Sequence, residues 1–99
     1  MATPRITWDE DKEDENRRKH GIGFREAIDA LQDPLARSEL DPWHPTGELR
    51  WNTTGMSRLG GLLRVTTTER GHTIRVSARR ATARERRDYR ERRDYEEEA

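Results

Sequence analysis

An α+β fold, with two helices leading into an antiparallel sheet of about four strands and a third helix closing the chain, follows from three observations. Phe24, Ala27, Ile28 and Leu31 recur at i, i+3, i+4 and i+7, the stripe of an amphipathic helix. Beyond Asp33-Pro34 the pattern breaks into short runs separated by turn residues, with Gly60-Gly61 and Gly71 as the sharpest stops. Thr82-Ala83-Arg84-Glu85 then has the Ser/Thr-x-x-Glu form of a capping box, which opens a helix by satisfying two orphan backbone donors reciprocally.

Each element can be justified in chain order. Arg5 to Trp8 reads as a first strand or a lead-in to a helix. Asp9 is a good N-cap, and the helix it opens runs to about His20, where Gly21 stops it. That helix is polar nearly all round, so its anchorage is expected from Trp8 and Ile6 before it and Ile22 after it. Within it Asp9, Lys12, Asn16 and Lys19 or His20 fall three and four residues apart and share a face. The Phe24–Leu31 stripe marks the second helix, ended by Asp33-Pro34. Strands are expected over 35–40, 48–56, 62–69 and 72–79, with a Pro-rich turn around Pro42, His44, Pro45 and Gly47 and a tight Arg70-Gly71 hairpin. One domain spanning residues 1–90 is expected, and 91–99 reads as a charged extension free to fray.

Composition narrows the function classes. Leu, Ile, Val and Phe total only 14 of 99 residues, so the core is thin and a stabilising partner is expected. Twenty basic and twenty acidic side chains cancel, yet between Arg58 and Arg93 twelve arginines face only Glu69, Glu85, Asp88 and Glu91. That local excess of positive charge can steer a polyanion despite the neutral total. There is no cysteine, hence no disulfide and no thiolate metal site. No apolar run approaches the ~20 residues of a membrane span and no signal-peptide core follows Met1, so a cytoplasmic protein without membrane association is expected.

Residues 74–87 hold six arginines across the predicted junction of strand and helix. Alternation puts Ile74, Val76 and Ala78 on one face of the strand and Arg75, Ser77 and Arg79 on the other. Arg84 with Asp88, Arg87 with Glu91, Asp88 with Arg92 and Arg90 with Asp94 are i, i+4 pairs, which make the helical arginines a solvated, paired face. Arg75, Arg79 and Arg80 have no acid beside them in sequence and form the candidate phosphate-binding set, because a guanidinium fork matches phosphate geometry. Lys19 and His20 precede a helix-ending glycine. They complement the helix dipole or serve in proton transfer. His20, His44 and His72 have no metal-ligand spacing, and neither a metal nor another cofactor is expected. Nucleotide-binding glycine loops and hydrolase-type serines are likewise missing. One chemistry suits what remains. RNA supplies its own nucleophile, the 2′-hydroxyl, so a protein need contribute only an acid, a base and cations around the reacting phosphate. A non-catalytic basic module that docks a partner protein or nucleic acid is the alternative.

The residues also carry a resemblance. Trp8-Asp9, Lys12, Asn16, Lys19-His20-Gly21, Phe24 and Ala27 form its N-terminal part. Asp33-Pro34, Gly47-Glu48, Arg50, Gly55, Ser57 and Leu62-Leu63 follow in order. Thr68-Glu69-Arg70-Gly71, Ile74-Arg75, Ser77-Ala78-Arg79-Arg80-Ala81-Thr82, Glu85-Arg86 and Tyr89 complete it. Over about residues 6–89 the chain resembles the BrnT family of toxins from type II toxin–antitoxin systems; Trp43-His44-Pro45 and residues 91–99 depart from the pattern. The resemblance implies a RelE-like fold and endoribonuclease activity that slows translation. It implies neutralisation by a BrnA-like ribbon-helix-helix antitoxin, with operator DNA bound only through the toxin–antitoxin complex. By position and chemistry, Lys19, His20, Arg75 and Arg79 are the expected catalytic set, with Arg50, Arg80 and Tyr89 supporting the RNA substrate and Glu69 a lesser candidate for the base.

Overall fold

In the computed structural model, residues 5–6, 8–41, 48–70 and 73–98 are described. The elements are β1 (Arg5–Ile6), α1 (Glu10–His20), α2 (Phe24–Leu31), β2 (Arg37–Leu40), β3 (Leu49–Met56), β4 (Leu62–Arg70), β5 (Thr73–Arg80) and α3 (Ala83–Glu98). The α+β class and the helix order are those the sequence predicts. The expected turns at 42–47 and at Gly71 lie outside the described residues.

The sheet has the order β1-β5-β4-β3-β2. β2 to β5 form an antiparallel meander, the four expected strands, and the two-residue β1 adds a short parallel edge against Thr73 and Ile74. One face, carrying Thr53, Gly55, Leu63, Val65, Val76 and Ala78, is buried beneath α2. On that helix Phe24, Ala27 and Ala30 are buried, whereas Ile28, counted in the predicted stripe, is only half-buried. Gly55 lets helix and strand approach closely. A Cβ built there would lie 2.1 Å from the Ala30 carbonyl oxygen, so α2 rests its backbone directly on β3.

α1 is held in a different way. Asp9 accepts from the Asp11 amide at 2.8 Å, and Gly21 ends the helix with φ 71°, the left-handed cap that glycine adopts without steric cost. Asn16 is the buried residue of this helix. Its side-chain amide donates to the Ile22 and Ala78 carbonyls at 2.9 and 3.0 Å and accepts from the Ala78 N–H at 3.2 Å. It therefore takes the place of a neighbouring strand along the edge of β5, beyond the point where β1 ends. Glu13 reaches forward to accept from the Phe24 N–H at 2.9 Å and so caps α2, whose own N-cap, Gly23, offers no side chain.

α3 begins with the predicted capping box: the Glu85 N–H reaches Thr82 Oγ1 at 3.2 Å and the Thr82 N–H reaches Glu85 Oε1 at 2.9 Å. The helix continues without a break through residues 91–98, and Arg92 donates to the Leu35 carbonyl. One expectation for it needs correction. None of the four anticipated i, i+4 ion pairs is closed among the described residues; Arg93 and Asp94 pair instead, at 3.3 Å. On an exposed helix face such pairs contribute only a few tenths of a kcal/mol each, too little to hold long side chains in one geometry.

Candidate active site

The second face of the sheet is polar, and the strand registers lay it out in rungs. Arg50, Thr68 and Arg75 are lateral neighbours across β3, β4 and β5; Asn52, Thr66 and Ser77 form the next rung, and Thr54, Arg64 and Arg79 the one after. α3 covers the third rung and leaves the first two open. At the open end α1 and the β4–β5 hairpin enclose a hollow of about 330 Å³. Lys12, Glu15, Asn16, Lys19 and His20 line it from the helix, and Thr66, Thr68, Arg75 and Ser77 from the sheet.

This is the convergence the sequence reading required, since Lys19 and His20 lie 55 or more positions from Arg75 along the chain. Helical spacing puts residues 12, 15, 16, 19 and 20 on one side of α1, and Asn16 presses that side against the strand edge. Lys19 Nζ is 2.7 Å from Glu15 Oε1, and this bond holds the Glu15 carboxyl below the ordinary range. Arg75 and His20 have no hydrogen bond or ion pair among the described residues. Arg75 therefore presents an uncommitted guanidinium to the hollow.

The remaining predicted residues are placed elsewhere. Arg79 shares the face of Arg75, but the expectation that no acid serves it is wrong. Its two terminal nitrogens meet the two oxygens of Glu85 at 2.8 and 3.0 Å, a bidentate pair. Glu85 folds back from the first turn of α3 and also lies 3.5 Å from Arg64 Nε. The Arg79 hydrogen bonds, with the Thr82 N–H assisting, bring the Glu85 carboxyl down to about 2 against its partial burial, and Arg79 is raised in turn. Arg80, one residue on, points to the other side of the strand and borders hollows around Gly60 and Gly61.

Tyr89 is buried, and its hydroxyl donates to Asp33 Oδ2 at 2.6 Å. Burial first, then that bond, pushes the phenol up to about 12. It does not line the hollow. Asp33 is a clasp that also accepts the Leu35 and Met56 N–H groups at 2.9 and 2.8 Å. Burial alone would raise its carboxyl, but these three donors hold it below the ordinary range. Arg50 is half-buried at the rim of the polar face, 3.4 Å from Asp41 Oδ2 without the alignment of a hydrogen bond. Register places Glu69 opposite Leu49 and Ile74, on the face turned away from the hollow.

Lys12, Glu15, Thr66, Thr68 and Ser77 were not singled out as site residues. The spacing that grouped Lys12 with Lys19 already contained the signal for Lys12 and Glu15. Alternation had already put Ser77 on the Arg75 face, whereas the threonines become visible only through the register. Among the described residues no three His, Asp or Glu side chains are grouped to hold a metal ion, and no helix is long and apolar enough to cross a membrane.

A protein-family model described as the ribonuclease toxin BrnT of type II toxin–antitoxin systems matches residues 8–85. The chain belongs to this family. A search of curated proteins found no match. Membership in the BrnT family makes the chain a ribonuclease toxin by class, with RNA as the substrate and an antitoxin as the partner of the system. The matched segment includes α1, the whole polar face of the sheet and Glu85, so the Lys19–Arg75 hollow lies within it.

Proposed function

We propose that this BrnT protein is a metal-independent endoribonuclease whose reaction takes place in the hollow between α1 and the β4–β5 hairpin. One observation carries the reading: Lys19 and His20, side chains able to move protons, line the same hollow as an arginine with no partner of its own among the described residues. Arg75 grips the scissile phosphate and offsets the charge that accumulates on it. Lys19 and His20 share the roles of base and acid. One accepts the 2′-hydroxyl proton as that oxygen attacks the adjacent phosphorus; the other donates a proton to the departing 5′-oxygen, leaving a 2′,3′-cyclic phosphate and a free 5′-hydroxyl.

Thr66, Thr68 and Ser77 offer hydroxyls to neighbouring phosphates and sugars, and Arg50, at the far end of the Arg75 rung, extends the cationic track. Arg79 is neutralised by Glu85 and is assigned to docking α3 rather than to the reacting phosphate. Arg80 and Tyr89 do not line the reaction hollow, so neither is assigned to the scissile bond. Neutralisation is by a ribbon-helix-helix antitoxin of the BrnA type in the cytoplasm, and operator DNA is bound through that complex.

Incubation of the purified chain with end-labelled RNA in excess EDTA tests the proposal. Cleavage to products ending in cyclic phosphate is expected. Intact RNA, together with salt-sensitive RNA binding, would instead identify a non-catalytic basic module.

A further inference from the structure

A second group of arginines lies at the other end of the sheet from the reaction hollow, and among the described residues only Arg93 in it has an acid partner, Asp94. Arg80, Arg86, Arg90 and Arg93 surround a separate hollow of about 250 Å³, and no carboxylate is in its lining. Arg86 and Arg90 are exposed without a partner among the described residues, and the Arg93 Nε is buried without a hydrogen bond. The floor is of another character: Met56, Leu62 and the ring of Tyr89 supply apolar surface there. Next to it, on the β3–β4 turn, Leu59 is 83% exposed and lines an adjoining hollow that shares Gly60, Gly61 and Arg80 with this one. From Arg75 to Arg80 is five residues of strand, ~17 Å, so this hollow and the reaction hollow are separate sites.

Taking this chain as the toxin of its system, we infer that the Arg80–Arg86–Arg90–Arg93 hollow is where an acidic, leucine-bearing segment of the neutralising protein docks. Charge complementarity requires an anionic occupant, because four guanidinium groups face a cavity that contains no acid. The apolar floor and Leu59 decide between the two anionic classes. A phosphate backbone gains nothing from an exposed leucine, whereas a peptide alternating carboxylates with aliphatic side chains satisfies the rim and the floor together. Arginine and tyrosine, both in this lining, are also among the side chains in which interface energy concentrates.

The probe is a fluorescein-labelled amphipathic peptide of glutamates and leucines, with a counterpart carrying lysine for glutamate as control and an uncleavable 2′-O-methyl RNA alongside. Fluorescence anisotropy on the full chain should show binding of the acidic peptide alone of the two. Arg86→Ala with Arg90→Ala should weaken it by at least ~10-fold, the loss of one or two charge-assisted hydrogen bonds, and Leu59→Asp should weaken it comparably. Affinity for the RNA and the rate of RNA cleavage should be unchanged in both variants. Failure of the acidic peptide to bind, or binding indifferent to both variants, overturns the inference. A parallel loss of RNA affinity overturns it too and makes the hollow a nucleic-acid contact. A wild-type chain that binds the peptide in this pattern but cleaves no RNA would defeat the ribonuclease reading and leave the docking surface standing.

Discussion

Arg75 and Arg79 share a strand face and a charge but not a role, and replacing each with alanine should separate activity from stability. The Arg75 side chain makes no hydrogen bond or ion pair among the described residues, so Arg75→Ala should alter folding stability by no more than ~0.5 kcal/mol. If it lies beside the reacting phosphate, a unit charge at ~4 Å with an effective dielectric of ~20 corresponds to ~4 kcal/mol before reorganisation. Loss of a donor to a developing oxyanion typically costs ~10²–10³ in rate. Arg79 is four residues further along β5, ~13 Å away, where a unit charge in solvent contributes only ~0.3 kcal/mol. Glu85 cancels even that, so Arg79→Ala should change cleavage less than ~2-fold. Its cost falls on stability instead. The bidentate pair is partly exposed, with 42% of the Arg79 side chain accessible, so ~1 kcal/mol is expected rather than the ~3 kcal/mol upper end for hydrogen bonds to charged groups. Single-turnover cleavage of labelled RNA in EDTA and urea melts on the same preparations measure both quantities. A folded Arg75→Ala protein that cleaves at the wild-type rate would refute the assignment. So would an Arg79→Ala protein that melts like wild type yet has lost cleavage, because that would return the phosphate to Arg79.

Acid should weaken the domain partly through Glu85. Its carboxyl is lowered in the folded state from 4.5 to about 2, so its contribution is complete above 4.5 and is lost as the pH falls toward 2. Urea midpoints measured across that interval should fall more steeply for wild type than for Glu85→Gln, and parallel curves would show that the pair contributes nothing. Gly55→Ala should destabilise by ~1–3 kcal/mol, because the new Cβ meets the backbone oxygen of Ala30 and not a movable side chain. A thermal melt within a degree of wild type would disprove the close approach of α2 to β3.

How much of this was legible in the sequence depends on how local the cause is. Caps were readable because their partners are neighbours: Asp9 and Gly21 bound α1, and Thr82 with Glu85 opens α3 as written. Alternation correctly exposed Arg75 and Ser77 and buried Val76 and Ala78. The fate of Arg79 was not readable, although its partner is only six residues away, because a capping-box glutamate has one role in the helix rule and a second once the strand end passes beneath it. The largest gap was within α1, which shows no apolar stripe and for which anchorage was expected from the hydrophobic residues at its two ends. Those ends do pack, with Ile22 fully buried in the core and Trp8 edge-on to Phe24 at 6.2 Å, but Asn16 was missed: it adds three hydrogen bonds to backbone exposed by the shortness of β1. A helix secured along its length by apolar packing would have to turn a leucine face toward the sheet. Secured there by one amide, it keeps that face polar, and the same face can then carry Lys12, Lys19 and His20 to within the hollow of Arg75. The polarity that made α1 look weakly anchored is therefore a condition of the site, since the contact that holds the helix is also what leaves room for its chemistry.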